Sequence, residues 1–149
     1  MTAFLPEGVS VETTNFPAVD MEQTGYANAS WDYIISDQVL EHIRRPWKAV
    51  AEMHRILQKG GVTICTTCAY NPVHRYPIDC YRFLPQGLEV LFEDFDEIET
   101  GAWGSRIAMI QDILRPDFRD NAGASERDYL KIQDDADTHP WVTWVTARK

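Results

Sequence analysis

Two histidines, three acids or amides, a tyrosine and an arginine in this chain are of types that could do proton transfer and substrate positioning. Glu41 and His42 are adjacent, and His74, Asp79, Tyr81 and Arg82 lie together in a polar, proline-containing stretch with Asn71. An imidazole titrates near neutrality and can take a proton from a hydroxyl, so His42 and His74 are the candidate catalytic residues. Glu41 could orient a substrate hydroxyl, or it could cap a chain crossing and satisfy backbone groups there. Asn71, Asp79, Tyr81 and Arg82 are the remaining substrate-side candidates, although Asp79 and Arg82 could equally pair with each other across a turn. Tyr76 and Tyr81 offer flat faces to a sugar ring or an aromatic acceptor.

The stretch Trp31 to Gly61 must position most of these groups. Tyr33, Ile34 and Ile35 form a short β-prone run that stops at Ser36, Asp37 and Gln38, as a parallel strand does where its carboxyl end opens into a crevice. Ligands of open α/β sheets bind in that crevice. Pro46 suits the first turn of a helix, and Trp47, Val50, Ala51, His54 and Leu57 recur at helical spacing, which predicts one buried stripe. Gly60 and Gly61 can turn the chain out of the helix, and Val62 to Thr67 is the next strand, parallel to the first. Further on, Ala69 to Phe83 reads as a loop, Pro85 to about Phe92 as a helix, Phe95 to Gly101 as a strand and Ser105 to Leu114 as a short helix. The segment 115–139 reads as a polar insertion or connection, and Trp141 to Thr146 as a final strand with both faces coverable. Val9, Val11 and Thr13 alternate as a marginal strand would, and Asn15 to Ser30 reads as a loop.

With 149 residues and 44% hydrophobic content, a single domain over residues 1–149 is expected. A formal net charge of −9 disfavours a nucleic-acid partner, because such binding rests on neutralising phosphates. No apolar run approaches the ~20 residues of a membrane span, so no membrane partner is expected. Cys65 and Cys68 form a C-x-x-C pair, but Cys65 falls inside a predicted strand rather than at a helix amino terminus, which favours buried structural thiols over a redox or zinc pair. Three cysteines suit a reducing compartment, and a cytoplasmic location is expected.

The run from Asp20 through WDYIISDQVLEHI to HRILQKGG resembles the carboxyl-terminal two-thirds of class I S-adenosylmethionine-dependent methyltransferases of the type 11 group. In that family an aromatic-Asp pair opens the fourth strand, here Trp31-Asp32, a Leu-Glu-His signature follows, here Leu40-Glu41-His42, and an Arg-x-Leu-x-x-Gly-Gly turn enters the fifth, here Arg55, Leu57, Gly60 and Gly61. The later His74, Pro77, Asp79, Arg82 and Phe83 resemble a pattern of members found near polysaccharide-biosynthesis clusters. The resemblance implies an α/β, three-layer Rossmann-like methyltransferase fold with a mostly parallel sheet and an antiparallel last strand. It implies S-adenosylmethionine as cofactor, with Asp20 near the adenine amino group, Met21 beside the adenine, and Ser36 and Asp37 bordering the methionine part. It also implies methyl transfer to a small-molecule or saccharide-type acceptor. A related family of small-RNA methyltransferases holds magnesium through Glu-x-x-Glu-His and a distant histidine; here the first position is Gln38, a neutral and weaker ligand, so a metal site of Glu41, His42 and His74 is disfavoured and no metal is expected.

The family's glycine-rich cofactor loop is not matched before Asp20, where nothing supplies a turn that lets backbone approach a ligand. The chain therefore reads as a fold truncated at its amino terminus, its first two strands missing, with an uncovered edge on the organising strand. A homodimer or a partner chain could cover that edge. The alternative reading is a non-catalytic methyltransferase-like binding or oligomerisation module.

Overall fold

The computed structural model describes residues 8–74, 77–114 and 136–149 of the chain. In chain order these form strand β1 (Trp31–Asp37), a one-turn 3-10 helix (Leu40–His42), helix α1 (Pro46–Ile56), strand β2 (Leu57–Cys68), helix α2 (Pro85–Leu91), strand β3 (Glu97–Trp103), helix α3 (Arg106–Ile113) and strand β4 (Val142–Arg148). The sheet order is β1-β2-β4-β3. β1 and β2 are parallel, and β4 runs antiparallel to both of its neighbours, so three strands point one way and the last points back. The expected Rossmann-like arrangement with an antiparallel last strand is present.

Period-2 alternation decides the faces. Thr63, Cys65 and Thr67 of β2 and Thr143, Val145 and Ala147 of β4 are buried, and they belong to the side packed with Met53 of α1 and with Leu88 and Phe92 at α2. On the other side, Tyr33 (68% exposed), Ile35 (51%) and Ile64 (41%) stand open, and β1 forms an edge of the described sheet.

Three expectations need correction. Residues Val9 to Thr13 are exposed and take no strand pairing, because alternation without a sheet neighbour gains no ladder hydrogen bonds. The buried stripe of α1 is Pro46, Ala49, Val50, Met53 and Ile56, rotated from the expected one; Trp47 is 55% exposed and Ala51 is also exposed. Burial of Pro46 at the first turn sets that rotation, and Trp47, Ala51 and His54 instead line a groove of about 300 Å³ with Val90 and Phe95. His54, expected in the core, is half-buried and meets the Phe95 ring edge-on at 4.9 Å. Finally, β2 begins at Leu57, directly after α1, and the Gly60-Gly61 turn is an excursion within the strand: the pairing register jumps from Trp31–Leu57 to Tyr33–Val62. Of the polar segment 115–139, residues 115–135 lie outside the described residues.

The loop before β1 is fastened along α1. Glu52 accepts hydrogen bonds from the Thr24 backbone N–H (2.8 Å) and hydroxyl (2.7 Å) while pairing with Arg55 (2.7 Å). Ala29 and Ser30 donate their backbone N–H groups to the last carbonyls of the helix, Arg55 O (3.1 Å) and Ile56 O (2.8 Å). The Arg55 guanidinium, assisted by Thr24, lowers the Glu52 pKa from 4.5 to about 2.

Two outcomes follow. A Cβ at Gly61 would meet Gln58 O at 2.9 Å and Asp32 O at 3.0 Å, both backbone atoms, so Gly61→Ala should destabilise the fold by about 1–3 kcal/mol in urea denaturation; an unchanged midpoint would contradict this close approach. Because the folded-state pKa of Glu52 is depressed, its stabilisation is present above about pH 4.5 and lost as pH falls toward 2. Glu52→Gln should therefore flatten the acid limb of a stability-versus-pH curve, and a limb of undiminished slope would show that Glu52 does not fasten the loop.

Candidate functional site

The site is built at the carboxyl ends of β1 and β2. Strand β1 ends at Asp37, and Gln38 then takes a positive φ of 54°, a conformation that costs a non-glycine residue energy and turns the chain abruptly. Its backbone N–H bonds Thr66 O (3.0 Å) and its side chain reaches Thr66 Oγ1 (3.2 Å), which holds the turn against β2. The Asp37 carboxylate, exposed, accepts the Thr66 hydroxyl. The 3-10 helix follows at once, with Leu40 and Glu41 buried and His42 half-buried.

Glu41 is deeply buried, its side chain only 1% exposed. Its Oε2 accepts the Thr67 hydroxyl at 2.7 Å, and its backbone carbonyl accepts the N–H groups of Cys80 (2.8 Å) and Tyr81 (3.1 Å). It thus caps the crossing, the structural alternative open at sequence level, while its other carboxylate oxygen lies 4.0 Å from His42 Nε2. Described residues between β2 and α2 are drawn onto the 3-10 helix by further bonds: His42 Nδ1 to Ile78 O, and Tyr81 Oη to Arg44 O at 3.0 Å. His74 comes over from the same loop, its Nε2 3.2 Å from His42 Nε2 and the two rings nearly perpendicular at 80°. The two candidate catalytic histidines, 32 positions apart, are therefore in contact.

Asp79 and Arg82 pair with each other through both carboxylate oxygens, Arg82 Nη2 to Oδ2 being 2.8 Å and Nη1 bonding Oδ1. Arg82 also donates to Asn71 O at 2.9 Å, and Asp79 Oδ2 accepts the His74 backbone N–H at 3.0 Å. The guanidinium beside Asp79 holds its carboxyl well below the usual range, and burial costs only partly offset this. Asn71, Asp79, Tyr81 and Arg82 thus brace the loop that presents His74. Burial raises the Cys65 thiol to about 12 and the Cys68 thiol to about 11, which disfavours the thiolate that redox or metal chemistry would need.

Asp20 and Met21 approach the same end of the sheet from the preceding loop. Asp20 is exposed, its Oδ1 accepting the Glu22 N–H at 2.9 Å, and Met21 packs on the core. Glu22 accepts the Arg45 backbone N–H at 3.2 Å and pairs with the Arg45 side chain at 2.5 Å, which ties this turn to the start of α1. Ser36 is buried beside the Cys65 thiol. Sequence reasoning missed Thr66 and Thr67; the available signal was a run of hydroxyls on a strand whose alternate positions must be buried and whose polar groups then need partners.

Residues 6–65 match the model of a methyltransferase domain family, beginning earlier than Asp20. No curated protein matches the chain in sequence. Solved structures share its fold. A SAM-dependent methyltransferase from Archaeoglobus fulgidus aligns over 87% of this chain and 65% of its own at 11% identity, with a TM-score of 0.55. The phosphoethanolamine N-methyltransferase 2 of Haemonchus contortus, in complex with S-adenosyl-L-methionine, aligns over 87% of this chain and 36% of its own at 17% identity and a TM-score of 0.55. The [4+2]-cyclase SpnF aligns over 88% and 54% at 21% identity and a TM-score of 0.51. The chain thus spans 36% to 65% of the length of these three proteins.

Removing the Asp79 charge tests the bracing role. Asp79→Asn should cost about 1.5–3 kcal/mol, the worth of hydrogen bonds to a charged group. It should also abolish a component of stability that is present at neutral pH and lost below about pH 4. A variant as stable as the parent at pH 7 would contradict the brace.

Proposed function

We propose, from its resemblance in sequence and fold to class I S-adenosylmethionine-dependent methyltransferases, that the chain forms the acceptor side of such an enzyme's active site. The acceptor would be a small molecule or a saccharide. The observation that carries this reading is convergence: the Asp20-Met21 turn, the Ser36-Asp37 strand end and the His42–His74 pair all belong to the carboxyl end of the sheet, where ligands of open α/β sheets bind. The cofactor supplies a sulfonium methyl group when bound. Asp20 and Met21 are assigned to its adenine end and Ser36 and Asp37 to its amino-acid end, with Asp37 presenting an exposed carboxylate to a cationic group.

The protein's contribution is then mainly positioning, which can lower a barrier by about 7–11 kcal/mol when the reacting atoms are held in line. The braced loop 69–84 forms the acceptor wall, with Tyr81, Glu41 and the Asp79–Arg82 pair behind it. His42 and His74 receive the proton if the accepting atom must lose one. A cytoplasmic location is part of this reading, supported by the odd number of cysteines, three, which suits a reducing compartment. Among the described residues, no helix is long and apolar enough to cross a membrane.

A second reading, a non-catalytic binding or oligomerisation module, is favoured by one observation: the open edge of β1 with Tyr33 and Ile35 exposed on the uncovered face. The SpnF likeness is a reminder that this fold also serves a protein that is named for a different reaction.

Calorimetric titration with S-adenosylhomocysteine separates the readings. Saturable binding that falls at least tenfold in Asp37→Ala, with Trp47→Ala unchanged, is expected. A folded chain that does not bind at millimolar ligand would overturn the enzyme reading and leave the module.

A further inference from the structure

We propose that Glu41, His42 and His74 form a binding site for one divalent transition-type cation, of which zinc or cobalt is the natural probe. The argument begins with protons. His42 Nδ1 faces the Ile78 carbonyl, and His74 Nδ1 faces the Pro72 carbonyl at 3.2 Å and the Asp79 carboxylate at 3.4 Å. All three oxygens can only accept, so in both rings Nδ1 carries the hydrogen. Nε2 is then the ring nitrogen left in each histidine for a ligand, and the structure places these two atoms 3.2 Å apart.

The geometry suits a metal ion. The ring centroids are 4.8 Å apart and the two Nε2 atoms 3.2 Å apart, so both Nε2 atoms lie on the facing edges of the ring pair. At metal–nitrogen distances of about 2.0–2.1 Å, nitrogens 3.2 Å apart subtend roughly 100° at the ion, near the tetrahedral angle. Glu41 Oε1 is 4.0 Å from His42 Nε2, longer than the ~3.3 Å between ligands of a tetrahedral ion, so the carboxylate would move toward the rings to complete the set. All three ligand atoms lie within 4.8 Å of one another.

The surroundings are those of a supported site. Each imidazole has its far nitrogen fixed by an acceptor, and Asp79 beside His74 makes the carboxylate–histidine arrangement that orients metal ligands and raises their basicity. Glu41 is 1% exposed and its second oxygen is held by Thr67, so its carboxyl group is already positioned. Two imidazoles and one carboxylate favour zinc, cobalt or nickel over magnesium, which prefers oxygen ligands and near-octahedral geometry. The sequence expectation of no metal rested on Gln38 in place of an acid. In the fold Gln38 is turned to Thr66, and the His74 contact makes a three-residue site without it.

The inference deepens the methyltransferase reading but stands apart from it. Three protein ligands leave a position open for a water or an acceptor oxygen, and an ion there would lower the pKa of that group; with the ion bound the histidines would serve as its ligands, and in the ion-free chain they are the base proposed above.

The test is titration of the chelator-treated, full-length chain with cobalt or zinc alone, without any cofactor analogue, so that its outcome is independent of S-adenosylhomocysteine binding. One ion per chain is expected, with the intense visible absorption of tetrahedral cobalt. Affinity should drop at least tenfold in His42→Ala and in His74→Ala and stay unchanged in His54→Ala and Cys80→Ser. Ring ¹⁵N shifts of the parent protein provide a readout that no folding defect can imitate: zinc should move Nε2 of both His42 and His74. Absence of a stoichiometric site, tight binding that survives loss of both histidines, or Nε2 shifts that ignore zinc and follow only a shared proton would each overturn the proposal.

Discussion

Burial of one carboxylate organises the functional end of this molecule. Glu41 sits 1% exposed in the 3-10 helix that directly follows β1, and two segments distant in sequence meet on it: β2 through the Thr67 hydroxyl on its carboxylate, and the loop before α2 through the Cys80 and Tyr81 amides on its backbone carbonyl. Buried polar groups without partners are costly, so both sets of bonds must be in place when this residue is buried. Once they are, the loop has one place to lie, and His74 is delivered to His42. The left-handed turn at Gln38 serves the same constraint, because it lets the chain drop from the strand end into the 3-10 helix within two residues.

The rest of the fold distributes rigidity around that point. The Asp79–Arg82 pair stiffens the loop from within, and Glu52 with Arg55 fastens the segment that carries Asp20 and Met21 along α1. One face of the sheet packs tightly on α1 and α2, whereas Tyr33, Ile35 and Ile64 on the other remain open. The crevice end is therefore over-determined by hydrogen bonds while the opposite sheet face offers apolar surface, a division that suits a site supported by a scaffold with further surface to cover.

Much of this was legible in the residues. The run Tyr33-Ile34-Ile35 ending at Ser36-Asp37, the Pro46 helix start and the alternation of the last strand express local chemistry that tertiary packing leaves intact. The phase of α1 was not, because Trp47 and Met53 are both plausible core residues at helical spacing and only the burial of Pro46 and Ala49 chooses between the two faces. Nor was the β2 start, since glycines that permit a turn after a helix equally permit a bulge inside a strand. At the site, residue types pointed to His42 and His74 separately. Their contact depends on the conformation of a loop that spacing does not encode, and the role of Thr67 emerges only once Glu41 is known to be buried.

The central claim is that the carboxyl end of β1 and β2, held shut around Glu41, is a ligand crevice. The most direct measurement is a residue-resolved NMR map of backbone amide shifts on addition of S-adenosylhomocysteine. The account predicts that perturbations cluster at Asp20 to Glu22 and Ser36 to His42 and spread into the loop through Ile78 to Tyr81. Perturbations concentrated instead in the groove of Trp47, His54 and Phe95, or none from a folded chain, would contradict it.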